Sequence, residues 1–295
     1  MSPAGGPAVR LVPVLDTDPA GYSAMIAGER AEDEITDPRA AGTCYADIRR
    51  SVEIFCEITD GRGIVTVHTS PFFRDTFLSA PYVDLWREAS SRGVDLALHP
   101  HEDRRGGGTL YTDTAHLARV IPAAAQALRD GGLAVPAFRS GYCAFSNAVA
   151  PILERSGFAV DLSAAPGIYN PARGVDWRGG PDTTQLLDVV DYHAVPPRHP
   201  GRVVTVPIGW DGEGNDYTGH YFFNERNTAE DLGRVYRAID ARAQRRGTSQ
   251  VVLYLCHTDG LCSDRWRSQA QSFLEGVQSQ LIGVAGILEA ASLTH

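Results

Sequence analysis

The sequence predicts an α/β protein in which six or seven strand–helix units close into a parallel barrel. Three observations predict it. Short aliphatic runs ending in turn formers alternate with segments of helical apolar spacing along most of the chain, the pattern of a parallel sheet. No compositional break divides the 295 residues. The one Pro-, Gly- and Asp-rich stretch, 166–201, lies between strands that read as one sheet, so a single domain over 1–295 is expected. Finally, polar residues recur directly after the strands: Asp16 and Asp18, His99 and His101, Arg139, Asp161, Trp210 and Asp211, and His257. In a barrel such positions share one rim, whatever their separation in sequence.

The elements follow in order. Residues 9–15 read as the first strand, ending in Asp16-Thr17-Asp18-Pro19, which also reads as a turn. Residues 21–42 are polar and acidic, and predict a long loop with a short helix. Ile48, Val52, Phe55 and Cys56 give 45–58 a helical face. A second strand spans 63–68, a short helix 83–91 and a third strand 94–99. Thr112-Asp113-Thr114 predicts an N-cap for a helix to about 129, stopped by Gly131-Gly132. A strand over 134–138, a helix capped by Ser146 and running to 155, and a strand over 158–163 come next. Within 166–201, residues 186–192 predict a strand. Another strand over 203–208, a helix from Thr228 to 246, a strand over 250–255 and a final helix from 263 towards 288, broken at Gly276 or Gly283, complete the chain.

Composition limits the function. The chain is 43% hydrophobic and 21% charged, an ordinary globular balance. A net charge of −9 without a basic stretch argues against nucleic acid as a partner. Five cysteines, an odd number without regular spacing, argue for a reducing compartment. The first residues lack the basic and apolar regions of a signal peptide, and no apolar run approaches the roughly 20 residues that span a bilayer. A cytoplasmic protein without a membrane partner is the expectation.

The stretch Leu98-His99-Pro100-His101-Glu102-Asp103 carries the chemistry. Residues two apart on an extended chain point the same way, so His99 and His101 converge just beyond a strand's C-terminal end. Parallel α/β folds bind ligands there. Two imidazoles with a carboxylate nearby suit Zn²⁺ or a similar divalent ion.

These residues resemble the polysaccharide deacetylase family of metal-dependent amide hydrolases. Leu15-Asp16-Thr17-Asp18 is similar to the family's first motif, although Thr17 separates the acids where the commoner form has them adjacent. Leu98-His99-Pro100-His101 resembles its metal-histidine motif, in the variant with one intervening residue. Phe138-Arg139-Ser140-Gly141-Tyr142, with the helix and strand that follow to Pro166, resembles its arginine motif. Leu255-Cys256-His257 resembles its final motif. The resemblance covers about 9–260. It implies a distorted (β/α) barrel with about seven parallel strands, and one divalent ion, Zn first with Co, Ni or Fe as alternatives.

The resemblance also implies roles. Asp16 would be the catalytic base, Arg139 would keep it ionised and aimed, and His257 would be the general acid. The ligands would be Asp18, His99 and His101. Asp18, His99 and Asp103 form the alternative set, since the commoner motif places its second ligand four residues on. The backbone N–H near Tyr142 is a candidate oxyanion donor. Asp161 or Asp259 would orient His257. Trp210 and Tyr221-Phe222-Phe223 are candidate sugar-stacking aromatics, and His68 is a weaker candidate for substrate contact. His116, His193, His199, His220 and His295 read as structural or solvated.

The expected reaction is removal of an N-acetyl group from a small amino-sugar-containing metabolite. The loop after Asp18 and the 166–201 insertion would close the rim, and Asp211, Glu213 and Asp216 would give an acidic mouth. The alternatives are a metal-dependent amidohydrolase acting on another C–N bond, and a metal-free sugar-binding relative.

Overall fold

The computed structural model describes residues 7–29 and 44–292. Its strands are β1 Val9–Asp16, β2 Ile64–Thr69, β3 Asp95–Pro100, β4 Ala137–Phe138, β5 Val160–Asp161, β6 Tyr169–Asn170, β7 Val175–Asp176, β8 Gln185–Asp188, β9 Pro200–Thr205 and β10 Gln250–His257. Seven of them are parallel neighbours in the order β10-β1-β2-β3-β4-β5-β9, and β8 adds antiparallel to the outer side of β9. The expected seven-stranded parallel barrel is thus present. Its distortion lies between β9 and β10, where irregular chain closes the gap. The Gly209 N–H donates to the Leu253 carbonyl at 3.0 Å, and the Leu253 N–H to the Pro207 carbonyl at 2.9 Å.

The aliphatic runs form the strands because both faces are covered: seven of the eight residues of β1, all six of β2 and all eight of β10 but His257 are buried. Helices cover the outside with their apolar faces. The helix Cys44–Thr59 buries Ile48, Val52, Phe55 and Cys56, the expected stripe. Asp113 caps the helix Thr114–Asp130 by accepting from the His116 N–H, and Thr228 with Asp231 forms a capping box for the helix Ala229–Arg246.

Several expectations need correction. β4 and β5 are two residues each. Pro136 lacks an N–H to give to a ladder, while its carbonyl accepts from Ala159 and Val160. Ser146 makes no side-chain cap; the helix Val149–Arg155 starts from Ala148. The strand expected over 186–192 ends at Asp188, whose carboxylate turns the chain. One oxygen accepts from the N–H groups of Val190 and Asp191, the other from those of Arg198 and His199. The break expected in the last helix is present: it divides into Asp264–Gly276 and Val284–Ser292. The loop expected over 21–42 is described only to residue 29, where it begins with the helix Tyr22–Ile26.

Register decides what faces the barrel interior. Residues paired across parallel strands point the same way, and their sequence neighbours point the other way. Asp16 pairs with His257, His68 with His99, and Leu98 with Phe138, which sets His99 level with Arg139. Leu15 pairs with Val65, which sets Asp16 level with Thr66 and Asp18 with His68. Asp16, Asp18, His68, His99, Arg139 and His257 therefore project from one face. Asp161 pairs with Phe138 and so projects from the other.

Candidate active site

Asp16 ends β1 and is almost fully buried. Arg139, one residue past β4, donates from Nε to both of its oxygens at 2.8 and 3.0 Å, and from Nη1 to the Leu162 carbonyl at 2.7 Å. Burial alone would raise the Asp16 pKa. Arg139 first, then His99 and His257, together outweigh it, and the carboxyl sits below its ordinary value.

Three ligand-type atoms converge beside this pair. Asp18 Oδ1 lies 3.4 Å from His99 Nε2 and 3.3 Å from His101 Nε2, and the two imidazole nitrogens are 3.1 Å apart. Atoms held about 2.1 Å from a tetrahedral ion stand about 3.4 Å apart, and about 3.0 Å apart when adjacent on an octahedron. The spacing and the mixed N,N,O donor set therefore fit a divalent ion. Among the described residues this is the one such group of three or more His, Cys, Asp or Glu side chains. His99 Nδ1 donates to the Arg139 carbonyl at 2.8 Å, which leaves the Nε2 lone pair facing the group.

Asp103, the alternative ligand, lies on the far side of His101. Its Oδ2 is 3.6 Å from His101 Nδ1 and accepts from the Tyr22 hydroxyl at 3.1 Å, while its Oδ1 accepts from Arg173 at 3.1 Å. His68 is fully buried and holds Asp18 from behind, Nδ1 to Oδ1 at 2.8 Å. Burial, the largest influence on it, draws its pKa down to about 4 against the pull of Asp18, so it is a neutral donor. Sequence reasoning gave His68 a possible substrate contact; here it backs a candidate ligand.

His257, at the end of β10, places Nε2 3.7 Å from Asp16 Oδ2. Its Nδ1 is 3.5 Å from Glu225 Oε2, and its backbone N–H donates to Glu225 Oε1 at 2.9 Å. The ring stacks on Phe223, 4.8 Å between centroids at 10°. Burial lowers the His257 pKa, but Glu225 and then Asp16 outweigh it and hold it at about 9. Glu225 thus stands where Asp161 or Asp259 was expected. It belongs to a short irregular turn, Asn224–Arg226, with no periodicity to mark it.

A cavity of 440 Å³ opens over these groups. Asp16, Asp18, His99, His101, Arg139, Tyr142 and His257 line it, together with Pro19 to Ser23, the expected aromatic Phe223, and the unanticipated Tyr217, Glu225 and Arg226. Tyr142 and Cys143 both adopt left-handed backbone, φ 54° and 62°, a costly arrangement for side chains other than glycine. Gly141 packs so closely that an added Cβ would stand 2.7 Å from the His101 ring.

Some expected site residues lie elsewhere. Asp161 is fully buried, accepting from Thr205 at 2.9 Å and from the Ser163 N–H at 3.1 Å, and it does not line the cavity. Trp210 does not line it either; its Nε1 donates to the Glu213 carbonyl and its ring stacks on Tyr221. Asp211 pairs with Arg234 and His220, and Asp216 accepts from the Thr218 N–H, so the acidic mouth expected of Asp211, Glu213 and Asp216 is not found. The 166–201 insertion contributes no lining residue, though Arg173 packs behind Tyr142.

No family model matches the chain, and no curated protein matches it in sequence. Solved structures do match in fold. A Mycobacterium smegmatis structure described as a polysaccharide deacetylase aligns over 100% of this chain and 93% of its own, with 15% identity and a TM-score of 0.60. Puue allantoinase aligns over 99% and 93%, with 14% identity and a TM-score of 0.62. A Pseudomonas aeruginosa PAO1 structure, also described as a polysaccharide deacetylase, aligns over 96% and 90%, with 12% identity and a TM-score of 0.57. The chain has the polysaccharide deacetylase fold.

Proposed function

We propose that the whole chain acts as one domain, a metal-dependent amide hydrolase that removes the N-acetyl group of a small amino-sugar-containing metabolite. The observation that carries this reading is the convergence of Asp18, His99 and His101 within 3.1 to 3.4 Å, beside the Asp16–Arg139 pair and the His257–Glu225 pair. A divalent ion held by the first three, Zn²⁺ before Co²⁺, Ni²⁺ or Fe²⁺, would supply Lewis acidity to water and to the amide carbonyl.

The chain's own groups supply the rest. Asp16, kept ionised by Arg139, takes a proton from the attacking water. His257, positively charged at neutral pH, donates its Nε2 proton to the departing amine. Glu225 holds the opposite edge of the imidazole and compensates its charge. The backbone N–H of Tyr142 is the candidate donor to the oxyanion.

A small substrate is favoured by the cavity, whose volume suits a compact ligand rather than a polymer groove. Five free thiols suit a reducing, cytoplasmic setting, and among the described residues no helix is long and apolar enough to cross a membrane. A second reading, hydrolysis of another C–N bond, is favoured by the overlay on a structure named an allantoinase.

The test is product release from three sets: N-acetylated amino-sugar metabolites, chitin and peptidoglycan fragments, and allantoin. Acetate from the first set alone is expected. Turnover confined to the polymers overturns the small-substrate reading, and turnover of allantoin alone selects the second reading. If no set turns over and the protein takes up no metal, the hydrolase reading is lost in favour of a metal-free binding protein.

A further inference from the structure

The insertion lines no part of the cavity, yet its Arg173 packs on Tyr142, which does. Arg173 ends a short turn between β6 and β7 and is 39% exposed. Two of its contacts lead to His101. Its Nη1 donates to Asp103 Oδ1 at 3.1 Å, and the other oxygen of that carboxylate faces His101 Nδ1 at 3.6 Å. Its guanidinium also lies over the Tyr142 ring, 3.9 Å from the centroid, and that ring meets the His101 ring edge-on at 4.7 Å.

The remaining sides of His101 are closed. His68 stacks on it at 5.0 Å and 23°, Tyr22 meets it edge-on at 5.2 Å, and Gly141 leaves no room for a side chain. The rotation of this ring therefore depends on where Asp103 and Tyr142 stand. Asp103 is buried with two firm donors, Tyr22 and Arg173. Tyr142 sits on left-handed backbone, which favours glycine over a tyrosine, so its side chain needs an external hold.

We propose that Arg173 is a positioning residue for the ion site: by fixing Asp103 and pressing Tyr142, it holds His101 with Nε2 aimed at Asp18 and His99. This rests on the reading of Asp18, His99 and His101 as ligands. A ligand histidine whose outer carboxylate is disturbed commonly loses 10- to 100-fold in metal affinity. Arginine suits the task because one planar group can both hydrogen-bond a carboxylate and stack on a ring. Lysine can supply the charge but not the stacking.

The experiment measures Zn²⁺ and Co²⁺ affinity of the full chain by competition with a chromophoric chelator, and the visible spectrum of the Co²⁺ form. Arg173→Ala should weaken both metals by about 10-fold or more and shift the Co²⁺ bands, with Arg173→Lys in between. Asp103→Asn should weaken binding in the same direction, and Arg173→Ala added to it should cost less than it does in the unaltered chain, because one of its two routes to His101 is already cut. His99→Ala is the control. If His99→Ala also keeps the metal, the ligand reading itself has failed. If His99→Ala loses the metal while Arg173→Ala and Arg173→Lys bind like the unaltered protein, with unchanged bands, only the positioning role is overturned. Should Arg173→Ala not fold, Arg173→Lys decides: unchanged affinity and bands refute the proposal.

Discussion

Asp16 and His257 are register partners on β1 and β10, and their side chains meet with Nε2 3.7 Å from Oδ2. Each is held by a second residue on its outer side, Arg139 for the acid and Glu225 for the imidazole. The two pairs set opposite charges at one point: a carboxylate held below its ordinary pKa and an imidazole held at about 9. A proton acceptor and a proton donor coexist there at neutral pH, which is the requirement for acid–base hydrolysis.

Asp16→Asn should keep the ion yet lower hydrolysis by about 10²- to 10⁴-fold, since an amide cannot take the proton. Asp18→Asn should lose the ion. Metal content after dialysis and acetate release from the same samples separate the two. The reverse pattern, with Asp16→Asn losing metal and Asp18→Asn retaining it, would exchange the roles assigned to these acids.

Glu225→Gln should move the alkaline limb of the pH–rate profile. The His257 pKa is raised to about 9 chiefly because Glu225 overcomes the effect of burial. Removing that charge lowers it, so less imidazolium remains at a given alkaline pH, and hydrolysis should fall off at lower pH than in the unaltered protein. The acidic limb, governed by Asp16, should move far less. A profile that keeps its alkaline limb would show that His257 is not the acid or that Glu225 does not support it.

Asp161 predicts a pH effect on stability rather than on rate. Burial lifts its pKa to about 6, against the hydrogen bonds from Ser163 and Thr205. The folded chain therefore binds this proton more tightly than the unfolded chain, whose Asp titrates near 3.8. Its contribution falls as pH rises from about 4 to about 6, by on the order of 3 kcal/mol. Asp161→Asn carries no such charge. Melting temperatures across that interval should show the variant gaining on the parent as pH rises; parallel curves would refute the assignment.

The barrel, and most of the residues that gather in the cavity, were legible because parallel strands bring their ends to one rim and the strand runs are strongly aliphatic. His99 and His101 followed from the two-residue period alone. Asp161 was misplaced because proximity to a strand's end does not say which way a side chain points. With β4 and β5 only two residues long, one step of the pleat separates Asp161 from the face that carries Arg139. Glu225 and Arg226 carried no signal, since the chain before them closes the barrel without a strand. Asp211 looked like a mouth residue because its partners, His220 and Arg234, lie 9 and 23 positions away.

The reacting groups and the cavity walls come from different kinds of chain. Strand ends carry Asp16, His99, Arg139 and His257, whereas Pro19 to Ser23 and the segment from Tyr217 to Arg226 supply much of the enclosure. A one-residue insertion inside β3 would turn His99 and His101 outward to the helices and abolish the centre at a stroke. Changes of length within Pro19 to Ser23 leave that register untouched, whereas the second wall is tied to β10 and His257 through Phe222, Phe223 and Glu225. Evolution, or a mutant library confined to the first wall, can therefore exchange the molecule admitted while the groups at the strand ends are inherited intact.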